Sequence, residues 1–212
     1  MLLSDPPALV KRQNREPVIL LVACVVLLTL SGLDPHDRLT WLLEVGPVLL
    51  ALPLLVVTYS RFRLTPLLYR LLFIHAVILM VGGHYTYSLT PIGFWIQRVF
   101  GFARNHYDRI GHLAQGFIPA ILAREILLRR SPLVRGKWLF FLVTCVCLAI
   151  SVLYELLEWW TALAGGEAAQ AFLGTQGDPW DTQWDMFLAL VGAVSAQLTL
   201  NHLHDRHLRR LA

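Results

Sequence analysis

Charge is scarce in this sequence: only 15% of its 212 residues are Asp, Glu, Lys or Arg, against roughly 25% in soluble globular chains. With 56% hydrophobic residues and a mean hydropathy of +0.57, the composition excludes an ordinary water-soluble fold and indicates a membrane protein. Cysteine is also rare. Cys24, Cys145 and Cys147 all fall in apolar blocks and lack the CxxC spacing of a metal or redox pair, so they read as small packing residues. No internal repeat or low-complexity tract occurs, which removes the usual signature of an inverted-repeat transporter. A small-residue cleavage pattern is missing after the first apolar block, where Asp34, Pro35, His36 and Asp37 stand instead. That block is expected to stay in the chain as a helix.

Six apolar blocks are present, at about 17–33, 39–59, 66–88, 110–128, 137–160 and 184–203. Each is near the ~20 residues that cross a ~30 Å hydrocarbon layer. Backbone groups in lipid must pair within their own segment, so the blocks predict spanning helices. The expected architecture is an all-α, polytopic transmembrane bundle of about six helices, with residues 1–212 forming one integral-membrane domain. Pro17 and Pro66 suit first helical turns, Pro132 marks a loop, and Pro47, Pro53 and Pro119 predict kinks inside their blocks.

The net charge of +4 does not form a basic face, so nucleic acid is not an expected partner. Lys and Arg instead flank the apolar blocks. Fourteen of them (Lys11, Arg12, Arg15, Arg61, Arg63, Arg70, Arg124, Arg129, Arg130, Arg135, Lys137, Arg206, Arg209 and Arg210) fall in one alternating set of loops and helix ends, and four (Arg38, Arg98, Arg104 and Arg109) in the other. Cytoplasmic loops keep positive charge, so both termini are expected in the cytoplasm. Acids run the other way: Asp34, Asp37, Glu44, Asp108, Glu155, Glu158, Glu167, Asp178, Asp181 and Asp185 lie on or near the outer half. The topology rule does not account for that skew.

Three polar strings converge there. Asn105-His106-Tyr107-Asp108-Arg109-Ile110-Gly111-His112-Leu113-Ala114-Gln115-Gly116 opens the fourth block, and its Asp108 and His112 share a helix face. Tyr154-Glu155-Leu156-Leu157-Glu158-Trp159 places two carboxylates on one face, with Glu155 roughly 7 Å inward of Trp160 at 1.5 Å per residue. The string from Gly174 to Met186 carries Gln176, Asp178, Asp181, Trp184 and Asp185 into the last block. A lone carboxylate in the hydrocarbon costs a few kcal/mol, so a partner, a proton or a metal is expected. His84 is expected to join from the third block.

Imidazole and carboxylates from several helices suit a divalent cation such as Zn, Mn, Fe or Mg. The expected metal ligands are His84, His112, Glu155, Glu158, Asp181 and Asp185. Asp108, His112, Glu155 and Asp185 are the expected catalytic groups, with Asn105, Arg109, Gln115, Gln176 and Trp184 contacting substrate. The competing reading is an ion-pair network in which Arg109 or Arg104 neutralises Asp108, Glu155 and Asp185. His75 reads as a packing residue, and His202, His204 and His207 as part of a basic cytoplasmic tail. Arg124 and Glu125 are expected near a cytoplasmic helix end, solvated or paired.

In Asn105–Gly116, Glu155–Trp159 and Gly174–Met186 above all, and over most of its length, the chain resembles the YjdF-like family of bacterial inner-membrane proteins. That resemblance implies a multi-pass protein of the inner membrane and assigns no reaction. More distantly, the order Asp108-Arg109, His112, Tyr154-Glu155, then Asp185 followed by Gly192-Ala193 is similar to VanZ-like membrane proteins. Ala189 stands where that group carries Asn, and Glu158 where it often carries Gln. The similarity implies a role in the cell envelope, VanZ-like proteins being associated with tolerance to glycopeptide antibiotics. The functional expectation is a membrane-embedded enzyme or ligand-binding protein acting on a lipid or lipid-linked envelope component at the outer leaflet. A small transporter or proton-coupled permease, and a scaffold with purely structural charges, are the alternatives.

Overall fold

The computed structural model describes residues 8–165 and 175–211, with side chains described for 15–164 and 175–211. Glu167 and Gly174 lie outside the described residues. Seven α-helices account for most of the described chain: α1 Ala8–Ser31, α2 Arg38–Thr58, α3 Pro66–Tyr85, α4 Pro91–Phe100, α5 Tyr107–Arg130, α6 Lys137–Gly165 and α7 Asp181–Arg209. A short 3-10 turn, Tyr87–Leu89, separates α3 from α4. Among the described residues four helices are long and apolar enough to cross a membrane: α2, α3, α6 over Lys137–Ala164, and α7. The chain is a polytopic helical bundle.

Helix ends obey local chemistry. Asp37 caps α2, its carboxylate accepting from Thr40 N at 2.7 Å, a bond that also holds the Asp37 carboxyl below its usual range. Thr65 caps α3 with Pro66 at the first helical position, as the sequence predicts. Pro47, Pro53 and Pro119 lie inside continuous helices. Pro17 does not start α1, which begins at Ala8. The polar residues before it are competent helix formers, so the apolar boundary and the helix boundary differ. Helix α4 is likewise absent from the six-block reading. Pro91 opens it and Gly101, at φ 68°, closes it in the left-handed conformation.

The helices run back and forth between two ends. At one end Ser31, Trp41, His84, Asn105, His112 and Asp185 are tied by contacts between successive helix termini. At the other, Glu125 joins Thr65 and His204, while Arg70 pairs with Glu16. Helices α5 and α7 form the most intimate pair. A Cβ on Gly116 would lie 1.9 Å from Ala189 O, and one on Gly192 would lie 2.2 Å from Leu113 O. Backbone therefore meets backbone, with buried Ala189, Ala193 and Ala196 continuing the small-residue seam. Cys24 and Cys147 are buried in the two apolar core clusters, and all three cysteines are free.

Candidate functional site

The close approach of α5 and α7 brings Asp108 and His112 from the first turns of α5 to Asp185 from the second turn of α7. Helix α6 adds Glu155 from the side. His112 is the centre. Its Nε2 lies 3.4 Å from Asp108 Oδ1 and 3.9 Å from Asp185 Oδ2, and its Nδ1 lies 3.7 Å from Glu155 Oε1. Nδ1 also stands 3.0 Å from Gln115 Oε1, one turn along the helix, and donates to it. His112, Glu155 and Asp185 are 5%, 8% and 3% exposed, so water does little to offset their polarity.

Among the described residues two groupings could hold a metal ion: Asp108, His112 and Asp185, and His112, Glu155 and Glu158, each with ligand atoms within 4.8 Å of one another. Atoms ~2.1 Å from one tetrahedral ion stand roughly 3.4 Å apart, close to the separations at Nε2. A proton count sharpens this. With Nδ1 donating to Gln115, Nε2 faces two carboxylates, so it either carries a second proton or shares its lone pair and those oxygens with a cation. Glu155 Oε1 and Asp185 Oδ1 are buried with no hydrogen-bond partner.

The arginines are engaged elsewhere. Arg104 binds Asp181 at 2.6 Å and Asp178 at 3.2 Å and donates to Thr175 O, while Arg109 binds Asp178 at 2.9 Å and lies over the Trp184 ring at 5.2 Å. Among the described residues, then, neither arginine takes Asp108, Glu155 or Asp185 as its salt-bridge partner. Arg104 fastens the Thr175–Trp180 turn to the start of α5 instead. Asn105 donates to Thr90 O and accepts from Tyr107 N, and Gln176 donates to Asn105 O at 2.8 Å. These residues frame the site. Beside them, burial first and then the Arg109 and Arg104 cations hold His106 below the usual imidazole range.

Not every expected ligand arrives. His84 donates from Nδ1 to Ser31 O at 2.9 Å and stacks edge-on with Tyr85, away from the His112 group. Asp181 is held by Arg104, and Glu158 joins only the Glu155 side. One residue at the site is not among those expected from sequence. Glu44, 5% exposed, reaches across from α2 and accepts from Tyr154 Oη at 3.1 Å. It is the only acid in the second apolar block, and that isolation is the signal the sequence offers.

A multi-pass helical membrane protein with a buried His/Asp/Glu cluster at one end is the class these features define. A family described as "Predicted membrane protein (DUF2238)" matches residues 16–206, and the chain belongs to it. The chain is similar to "Inner membrane protein YjdF" of Escherichia coli (strain K12), 54% identical over 199 residues that make up 92% of this chain and 95% of that protein. It is accordingly a multi-pass inner-membrane protein of the YjdF-like group. No solved structure matches it. The likeness to VanZ-like proteins rests on the residue pattern alone and bears no weight in assigning a function.

Proposed function

We propose that this protein binds a divalent metal ion through His112 Nε2, Asp108 and Asp185, and uses it on a lipid or lipid-linked component of the envelope. The observation that carries this reading is the pair of buried oxygens without a hydrogen-bond partner, Glu155 Oε1 and Asp185 Oδ1, beside an imidazole whose other nitrogen is already committed to Gln115. Holding a metal-binding His by a hydrogen-bond acceptor behind it is the usual way to fix its ring and tautomer. An ion held there would supply Lewis-acid polarisation of a substrate oxygen or activation of a water, and Glu155 and Glu44 would be the groups to give or take the proton. The fourteen-to-four bias of Lys and Arg supports an arrangement with the His112 end at the outer leaflet and both termini in the cytoplasm.

A transporter would need polar groups leading across the bundle. Between the acids and His112 at one end and Tyr59 and Tyr69 at the other, the cavity wall is largely apolar apart from His75, which does not favour that reading. A scaffold would use its arginines to neutralise the cluster, and they are spent on Asp178 and Asp181. The test is elemental analysis of protein purified without added chelator, for the wild type and for His112→Ala. About one divalent ion per chain, lost in the variant, is expected. A wild type that carries no divalent metal and takes none up on titration refutes the metal reading.

A further inference from the structure

A cavity of about 450 Å³ runs through the bundle from the His112 end, walled by α1, α2, α3, α5 and α6. Its polar end is made by Glu44, Asp108, His112, Tyr154 and Glu158. From there the walls turn apolar, with Leu52, Leu55, Ala76, Leu122 and Ile150 among them, interrupted by His75 and, further along, by Tyr59 and Tyr69. Between Asp108 and Leu122 along α5, at 1.5 Å per residue, the cavity extends roughly 21 Å. That exceeds the ~15 Å depth of one leaflet's hydrocarbon. A cavity of that volume drawn out over that length is long and narrow, a shape suited to a single hydrocarbon chain.

We infer that this cavity is an acyl-chain slot: it takes one fatty-acyl chain of a bilayer glycerophospholipid lengthwise and presents the ester carbonyl of that chain to the His112 end. The shape argues for a chain and the surroundings for its source, since α2, α3 and α6 are long and apolar enough to cross the bilayer. The lining argues for an ester. The polar end carries Glu44, Asp108 and Glu158 and no Arg or Lys, so a free fatty-acid carboxylate finds no basic side chain there to pair with, while a neutral ester can lie beside Tyr154 and His112. Helix α2 packs extensively on α3 but not on α5 or α6. Glu44 and Tyr154 bridge that gap at its polar end. An isoprenoid chain, branched at regular intervals, fits so narrow a section less well.

The inference rests on the proposed function for what happens to the ester, but occupancy of the slot does not. The experiment separates the two: full-length protein is purified in mild detergent, washed, and analysed by native mass spectrometry and lipid extraction. Two substitutions are compared, Ala51→Trp, which fills the slot from α2, and Val57→Trp, on the exposed face of α2 outside it, and the wild type is also measured after stripping with a strong chelator. Helical content and elution volume confirm that each is folded, and Leu52→Phe is the milder filling variant if Ala51→Trp is not. About one glycerophospholipid per chain is expected in the wild type. A fall of at least fivefold is expected on filling, none with Val57→Trp, and retention of lipid by the chelator-stripped wild type. Absence of bound lipid, isolation of free fatty acid or isoprenoid lipid in its place, or equal retention by the filled variant overturns the acyl-slot assignment.

Discussion

Two buried histidines, His204 and His112, sit at opposite ends of the bundle, each among carboxylates, and their surroundings differ. At His204, Nε2 donates to Glu125 Oε2 at 3.0 Å, and Nδ1 accepts from Arg124 Nη1 at 2.8 Å. Arg124 also binds Asp205 at 2.8 Å, Arg129 binds Glu125 at 2.6 Å, and the Thr65 N–H and hydroxyl both donate to Glu125. Glu125 and His204 are fully buried, and neither keeps an unpartnered side-chain polar atom. This is how the protein looks where charge serves structure: cations and anions alternate, and the network ties α3, α5 and α7 together. At His112 the carboxylates have no cation among the described residues beyond the imidazole itself, and two buried oxygens have no hydrogen-bond partner. Buried acids so short of partners suit the proposed role of a site that takes an occupant.

The comparison breaks most readily at Glu125. Glu125→Ala leaves Arg129, His204 and the Thr65 N–H without their acceptor, and stripping one partner from a buried pair costs about 3–5 kcal/mol. Reversible unfolding in mixed micelles should show a loss of that size, with the His112 site still binding metal in whatever protein remains folded. A loss below about 1 kcal/mol, the scale of an exposed pair, would mean that the network is ornamental.

A smaller effect, sharper in what it isolates, is expected at the α5/α7 seam. Gly116→Ala places a methyl 1.9 Å from Ala189 O, and a backbone carbonyl cannot turn aside as a side chain can. The helices must part, at a cost of about 1–3 kcal/mol on the scale of overpacked cores. Because Asp185 rides on α7 and His112 on α5, metal affinity should fall at least tenfold although no ligand has changed. Unaltered metal binding in a destabilised protein would show that the seam does not set the site's geometry.

How much of the site is legible in the sequence depends on range. The four-residue spacing of Asp108 and His112 is local, so their shared face can be read directly, and the burial cost of Glu155 and Asp185 marks them as needing company. Which helices stand beside one another is not local. Sequence therefore draws His84 to the cluster when it in fact closes against Ser31, and marks Glu44 only as an isolated acid without showing that it reaches Tyr154 from α2. Arg104 and Arg109 look like partners for Asp108, Glu155 and Asp185, but the nearer Asp178 and Asp181 capture them. His204 reads as part of a solvated tail because α7 outlasts its apolar block, and burial there is by polar neighbours that hydropathy does not register. Helix α4 escapes notice because ten residues opened by proline give too short a period to separate from a loop.

The central claim, that the His112 carboxylates await a cation while those at Glu125 have theirs, is tested most directly by the thermal stability of Asp185→Asn in the presence of a strong chelator. With metal removed, Asp185 is a buried carboxylate near Asp108 and Glu155 with one oxygen unpartnered, so replacing it by the neutral amide should raise the melting temperature by a few degrees, the equivalent of about 1 kcal/mol. Added divalent metal should stabilise the wild type and not the variant. A variant that instead melts well below the wild type in chelator, as Glu125→Ala is expected to do, would contradict the account and make the His112 cluster a structural network like its counterpart.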